Sequence, residues 1–448
     1  METAPAEGRH GVRFRQMKAN ASRDTLNCFI SLCSGETQAN EGPLSGVVFG
    51  IKDNMAVRGE RMTCASRILE HYIAPYDATV VERLKRRGAL ILGKTNMDEF
   101  ACGSSGETSA FGPTQNPIFP GRVPGGSSSG SAASVAAELV DAAMGSDTGG
   151  SVRCPASFCG IEGFKPTYGK VSRHGLVDMS MSLESPAPVV PKGRTALLAG
   201  IMDAISGYDE LDQATYGSAR TDCVKSLNDF QISGACLSLP SNLLDLCAAD
   251  VRETFALTVG RLRGAGAKID EIQLSSARTV LPAYYLTMYS EFASAMQRYD
   301  GMKFGYRGEG SGAEEVMKSS RSVLGPEVRR RILLGTYITS LEGKSEWYEK
   351  AMNARAAIIE EVASVMSTCD LMILPAMPVT PYPMGERLAD PLLMYATDIL
   401  TVLPNVCGLP AGSIPLNGGV SLQLIGERNS DEKVVSAMNV LSGVVRRE

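Results

Sequence analysis

The chain has 448 residues, of which 44% are hydrophobic and 21% charged, the balance of a globular protein rather than a disordered or fibrous one. Its net charge of −5 gives no general attraction to phosphate backbones, so any nucleic acid in its biology is expected to be held by a partner. There is no uncharged apolar run of 18 residues and no apolar leader core at the start, so neither a membrane span nor a secretory signal is expected.

In chain order, residues 1–45 read as a helix with exposed charge followed by turns at Ser34-Gly35-Glu36 and Asn40-Glu41-Gly42-Pro43. Val47 to Ile51 is a short apolar strand that delivers Lys52-Asp53-Asn54 at its end. Thr79 to Arg87 is an amphipathic helix stopped by Gly88, and Ala89 to Leu92 is a buried strand. This strand–helix–strand alternation argues for an α/β sheet that is at least partly parallel. From Pro124 to Lys165 lies a stretch rich in small residues, with Gly/Ser clusters at 125–131 and 146–151 around a helix-patterned segment, Ala132 to Met144. Helices follow at 195–205, 250–263, 284–297, 326–341, 346–368 and 431–445, with strands at 235–239 and 371–375 and short strands within 400–425. No long linker and no repeat interrupts this order. The reading is a single large α/β domain over 1–448, a mixed central sheet with helices on both faces.

Eleven scattered cysteines, several inside apolar runs (Cys236, Cys247, Cys407), fit the reduced thiols of a bacterial or archaeal cytoplasm, with an organelle also open. Cys154 and Cys159 are five apart with no histidine nearby, so no metal site is expected there.

Three patterns compete for the chemistry. Gly88 to Thr95 matches a phosphate loop in letters, but its interior, Ala-Leu-Ile-Leu, is itself a strand whose N–H groups would be tied up in a sheet. Gly126-Ser127-Ser128-Ser129-Gly130 matches a nucleophile elbow centred on Ser128. That chemistry needs an acid and then a histidine further on. Of the three histidines, His10, His71 and His174, only the last follows, and too soon for the usual strand order. A lysine can activate a serine instead, provided burial lowers its pKa enough to leave it neutral. Lys52, at the end of an apolar strand, is the candidate.

The residues Gly125 to Ser131, Gly145 to Arg153, Gly163-Phe164-Lys165-Pro166-Thr167 and Lys52-Asp53 together resemble the amidase signature family, with its signature core at about 120–170. Ser127 lies 75 residues beyond Lys52 and Ser151 a further 24, spacings that fit the family. The resemblance implies that Ser151 is the nucleophile, that Ser127 follows a cis peptide and bridges, and that Lys52 is the terminal base. It also implies an oxyanion hole from the N–H groups around Thr148, Gly149, Gly150 and Ser151. Within the family the chain looks most similar to the A subunits of tRNA-dependent amidotransferases. The motifs concerned are Asn96 to Phe100, Ser109 to Thr114, Tyr299-Asp300-Gly301, Arg329 to Ile332 with Leu334-Gly335-Thr336, and Asp390 to Leu392 with Met394-Tyr395.

That similarity implies glutamine hydrolysis, with ammonia sent to a B subunit in a complex with a C subunit. The B subunit would contact tRNA and use ATP and Mg²⁺ to amidate glutamyl-tRNA(Gln) or aspartyl-tRNA(Asn), and no cofactor is expected on this chain. By position, Asp398 would meet the amino group of glutamine, Arg331 its carboxylate, and Tyr285 would be the pocket tyrosine. The segment Ser182 to Pro188 departs from the family pattern. A free-standing amidase acting on another small amide, and a phosphate-loop nucleotide binder, are the rival readings.

Overall fold

The computed structural model describes residues 9–34, 41–340 and 346–445; the turn expected at Gly35-Glu36, and Leu341 at a helix end, lie outside them. Among the described residues eleven strands form one sheet: β1 Phe29–Leu32, β2 Val48–Lys52, β3 Leu90–Thr95, β4 Ala142–Asp147, β5 Glu162–Lys165, β6 Ser185–Val190, β7 Cys236–Pro240, β8 Lys268–Ile272, β9 Leu371–Pro375, β10 Ala411–Pro415 and β11 Ser421–Ile425. Their order is β1-β3-β2-β4-β6-β5-β10-β11-β9-β7-β8. β3, β2 and β4 run parallel, as do β9, β7 and β8. An antiparallel centre of β6, β5, β10 and β11 joins the two groups. The sheet is therefore mixed, and helices flank it as the alternation of elements requires.

The parallel unit that carries Lys52 follows from its sequence. Thr79–Arg86 forms a helix that buries Thr79, Val80, Val81 and Leu84. Gly88, at a φ of +94° that disfavours any side chain, then reverses the chain into β3. β2 and β3 pair in parallel with Ile51 opposite Lys94 and Lys52 opposite Thr95. Both strands are buried along their whole length, as expected where both faces are covered. The interior of the phosphate-loop pattern is thus β strand.

Four expectations shift. The N-terminal region contains a strand, β1, that pairs at the sheet edge with β3 and carried no strand signal of its own. β3 runs on through Lys94 and Thr95 because Asp53 receives the Lys94 ammonium inside the sheet (3.0 Å). The helix expected over Ala132 to Met144 is instead Ser129–Ala136, ended at Glu138 (φ +58°), and Ala142 to Met144 belong to β4. Small residues there let β4 lie between β2 and β6, a tertiary fit that helix propensity cannot report. The divergent segment Ser182 to Pro188 supplies β6. Its prolines, two residues apart, lack N–H on the same edge, and β5 reaches only Val189 and Val190 on that strand.

Candidate active site

Lys52 ends β2 fully buried, and its Nζ donates to Ser127 Oγ at 2.7 Å and to Ser146 Oγ at 2.9 Å. Asn54 Nδ2 donates to the same Ser146 hydroxyl at 3.0 Å. Among the described residues no carboxylate bonds the amine; its partners are hydroxyls and, at 3.4 Å, the Ser146 carbonyl. Burial therefore pushes its pKa down from 10.5 to about 7, against the opposing pull of Asp98, Asp147 and Glu184. A lysine in this state takes and returns protons near neutrality.

Ser127 follows a cis peptide from Gly126 and is fully buried. Its carbonyl accepts from the Asp98 N–H at 3.2 Å, and the next N–H, of Ser128, donates to the Ser151 carbonyl at 3.1 Å. This backbone bond brings Ser151 alongside the lysine-bound serine. Only glycine fits at 126, because a Cβ there would lie 2.0 Å from Asp98 Oδ2. Lys52 and Ser127 are sealed from solvent, whereas Ser151 is partly exposed.

The loop before Ser151 is shaped by the Asp147 carboxylate. Asp147 accepts from the N–H groups of Gly150 (2.9 Å) and Val152 (3.2 Å) and is clamped by Arg153 through Nε (3.0 Å) and Nη2 (2.8 Å). Burial alone would raise its pKa, but Arg153 outweighs that and holds it at about 2. This corrects one expectation: the Gly150 N–H is occupied by Asp147, while the N–H groups of Thr148, Gly149 and Ser151 make no hydrogen bond to protein among the described residues. Gly150, at φ +125°, faces Thr401 so closely that a Cβ would lie 2.3 Å from Thr401 Oγ1. Thr401 Oγ1 in turn donates to the Gly149 carbonyl at 2.6 Å.

Tyr285, Arg331 and Asp398 come from three separate segments and gather beside this loop. The Tyr285 hydroxyl donates to Asp398 Oδ2 at 2.7 Å. Arg331, 3% exposed, lies over the Tyr395 ring (5.7 Å), and that ring stands 4.6 Å from the ring of Tyr285. Asp398 is three residues before Thr401. Tyr284, next to Tyr285, would meet a Cβ on Gly149 at 2.4 Å from its hydroxyl. Burial lifts the Asp398 carboxyl to about 7, although Tyr285 and Arg331 favour its charged form. The cluster thus holds a cation and an acid that ionises near neutrality, close to the loop that presents Ser151.

The other motifs lie elsewhere. Ser128 is fully buried and its Oγ donates to the Ser146 carbonyl (3.3 Å), while His174 stacks on Tyr76 (5.2 Å). No group of three or more His, Cys, Asp or Glu side chains placed to hold a metal occurs among the described residues. Likewise no described helix is long and apolar enough to cross a membrane. Sequence reasoning missed Ser146, Asn54, Thr401 and Glu327. The first two sit beside quoted motifs, but the contacts of the last two arise only on folding.

The fold and this histidine-free serine–lysine arrangement define the class, and the match over the chain agrees: the model of the Amidase family covers residues 24–435, and the chain belongs to that family. Among characterised relatives, the A subunit of glutamyl-tRNA(Gln) amidotransferase from Natronomonas pharaonis is 45% identical over 90% of this chain and 96% of its own length. The protein of the same name from Methanocaldococcus jannaschii is 42% identical over 90% of this chain and 89% of its own. The crystal structure of the corresponding A subunit from Thermotoga maritima superposes with a TM-score of 0.82 at 38% identity, covering 95% of this chain and 89% of that one.

Proposed function

We propose that this chain is the glutaminase subunit of a tRNA-dependent amidotransferase, with Lys52, Ser127 and Ser151 as its catalytic residues. Ser151 Oγ attacks the side-chain carbonyl of glutamine and passes its proton to Ser127, whose own proton moves to neutral Lys52. The oxyanion is met by the N–H groups of Thr148, Gly149 and Ser151, with Gly150 holding the loop to Asp147. The relay then runs backwards, the departing nitrogen leaves as ammonia, and a glutamyl ester remains on Ser151. Water opens that ester by the same relay and releases glutamate.

The observation that carries the reading is the pairing of opposite poles beside the serine loop, Arg331 for a carboxylate and Asp398 with Tyr285 for an ammonium. Buried charges of both signs without mutual neutralisation suit a zwitterionic amide. The relatives' name supplies the rest: ammonia would pass to B and C subunits, the B subunit would hold the tRNA, and ATP and Mg²⁺ would act there. A bacterial or archaeal cytoplasm fits the eleven free cysteines.

The test is reconstitution with candidate B and C subunits and mischarged glutamyl-tRNA(Gln). Ser151→Ala should abolish amidation from glutamine and leave amidation from free ammonia intact. Amidation from glutamine that survives this change rejects the mechanism. Hydrolysis of neutral amides with no preference for glutamine would favour a free-standing amidase instead.

A further inference from the structure

Glu327 is the second residue of the helix Pro326–Thr339, one turn before Arg331, and only 6% of it is exposed. Its Oε1 accepts from Arg331 Nε at 2.8 Å and from the Tyr395 hydroxyl at 2.8 Å, while Oε2 takes Arg330 from the rim. The Tyr395 ring lies under the Arg331 guanidinium and against Tyr285, whose hydroxyl holds Asp398. One continuous chain of contacts, Arg331–Glu327–Tyr395–Tyr285–Asp398, therefore spans both poles of the pocket.

We propose that Glu327 is a positioning residue that holds Arg331 by its Nε side, keeping the cation away from Asp398 and leaving its two terminal nitrogens for the substrate carboxylate. The inference rests on the reading of Arg331 given above. The bonding pattern supports it directly. Glu327 occupies Nε, and the sole partner of Nη1 among the described residues is the weak acceptor Met288 Sδ at 3.8 Å. A carboxylate can then bond both terminal nitrogens side by side, the geometry in which guanidinium recognition is strongest. Without Glu327 the nearest alternative acid for Arg331 in the pocket is Asp398, whose ionisation already responds to this arginine. An Arg331–Asp398 pair would neutralise both binding groups at once.

The experiment compares glutamine with 4-aminobutyramide, which keeps the amine and the amide but lacks the carboxylate, on the full chain and its variants. Glu327→Ala should raise KM for glutamine about 10- to 100-fold, more than it lowers kcat. The ratio of kcat/KM for glutamine over 4-aminobutyramide should fall by about 10-fold or more. Glu327→Gln, whose amide oxygen can still accept from Nε and from Tyr395, should recover most of that ratio. An unchanged ratio in Glu327→Ala, with kcat falling equally on both substrates, marks a merely structural role and overturns the proposal. So does a Glu327→Gln variant as impaired as Glu327→Ala. If the unmodified chain already fails to prefer glutamine, the reading of Arg331 falls first and this proposal with it.

Discussion

Two lysines on neighbouring strands show how burial alone does not decide what an amine becomes. Lys94 in β3 and Lys52 at the end of β2 are both fully buried, with Lys94 paired in register with Ile51. Lys94 meets the Asp53 carboxylate at 3.0 Å, and Asp53 is held in turn by the Thr63 N–H at 2.8 Å. Lys52 meets two serine hydroxyls and, among the described residues, no carboxylate. The first arrangement is an ion pair that fixes strands and loops together. The second strips the amine of compensation, so that its charged form is disfavoured and a neutral base is available at pH 7. The difference is one partner, carboxylate against hydroxyl, within one layer of the sheet.

Removing each amine should separate the two roles. Lys52→Met is expected to cut glutamine hydrolysis by about 10³-fold or more. Its unfolding free energy should stay within about 2 kcal/mol of the parent, since what is lost is hydroxyl hydrogen bonding rather than a charge pair. Lys94→Met should do the reverse. It leaves Asp53 buried without its cation and should lower the unfolding free energy by about 3–5 kcal/mol, read as a drop in the denaturant midpoint. Equal loss of stability in both variants would erase the distinction.

The pH profile sharpens the comparison next. Lys52 must be neutral and Asp398 ionised for the proposed reaction, and both groups titrate at about 7. Both conditions are met on the alkaline side, so log kcat/KM should climb with a slope approaching two as pH rises toward neutrality and level off above it. Asp398→Asn should reduce that slope to one. A profile that falls as pH rises through 7 would show that the lysine acts charged.

The smallest expected effect concerns the hydroxyl behind the base. Asn54 orients Ser146, which in turn holds Lys52. Asn54→Ala should therefore lower kcat about 3- to 10-fold while leaving KM near its parent value. A change confined to KM would place Asn54 in substrate binding instead.

Much of the centre was legible in the chain itself. Gly126, Ser127, Gly149, Gly150 and Ser151 lie in two nearby clusters, and Lys52 closes an apolar strand, so residue type and order pointed to a serine–lysine site before any fold was known. The tight approaches at Gly126 and Gly150 show why those glycines are needed there. The pocket was legible only through resemblance. Arg331 sits in a run of three arginines that reads as a solvated basic face, yet folding buries it against Tyr395 and Glu327 while Arg330 stays at the rim.

By itself, the sequence determined the local elements with strong periodicity, the helices Thr195–Ile205 and Asp431–Val445 and the strand Leu371–Pro375 among them, because burial of one face dictates their pattern. Tertiary structure alone decided that Ala142 to Met144 extend as β4, since small residues are compatible with either state and only the neighbours β2 and β6 choose. It also decided that the Gly150 N–H serves Asp147, and that Tyr285, Glu327, Arg331, Tyr395 and Asp398 meet around one pocket. Contacts between residues so distant in the chain depend on how layers pack, and no local pattern carries that information.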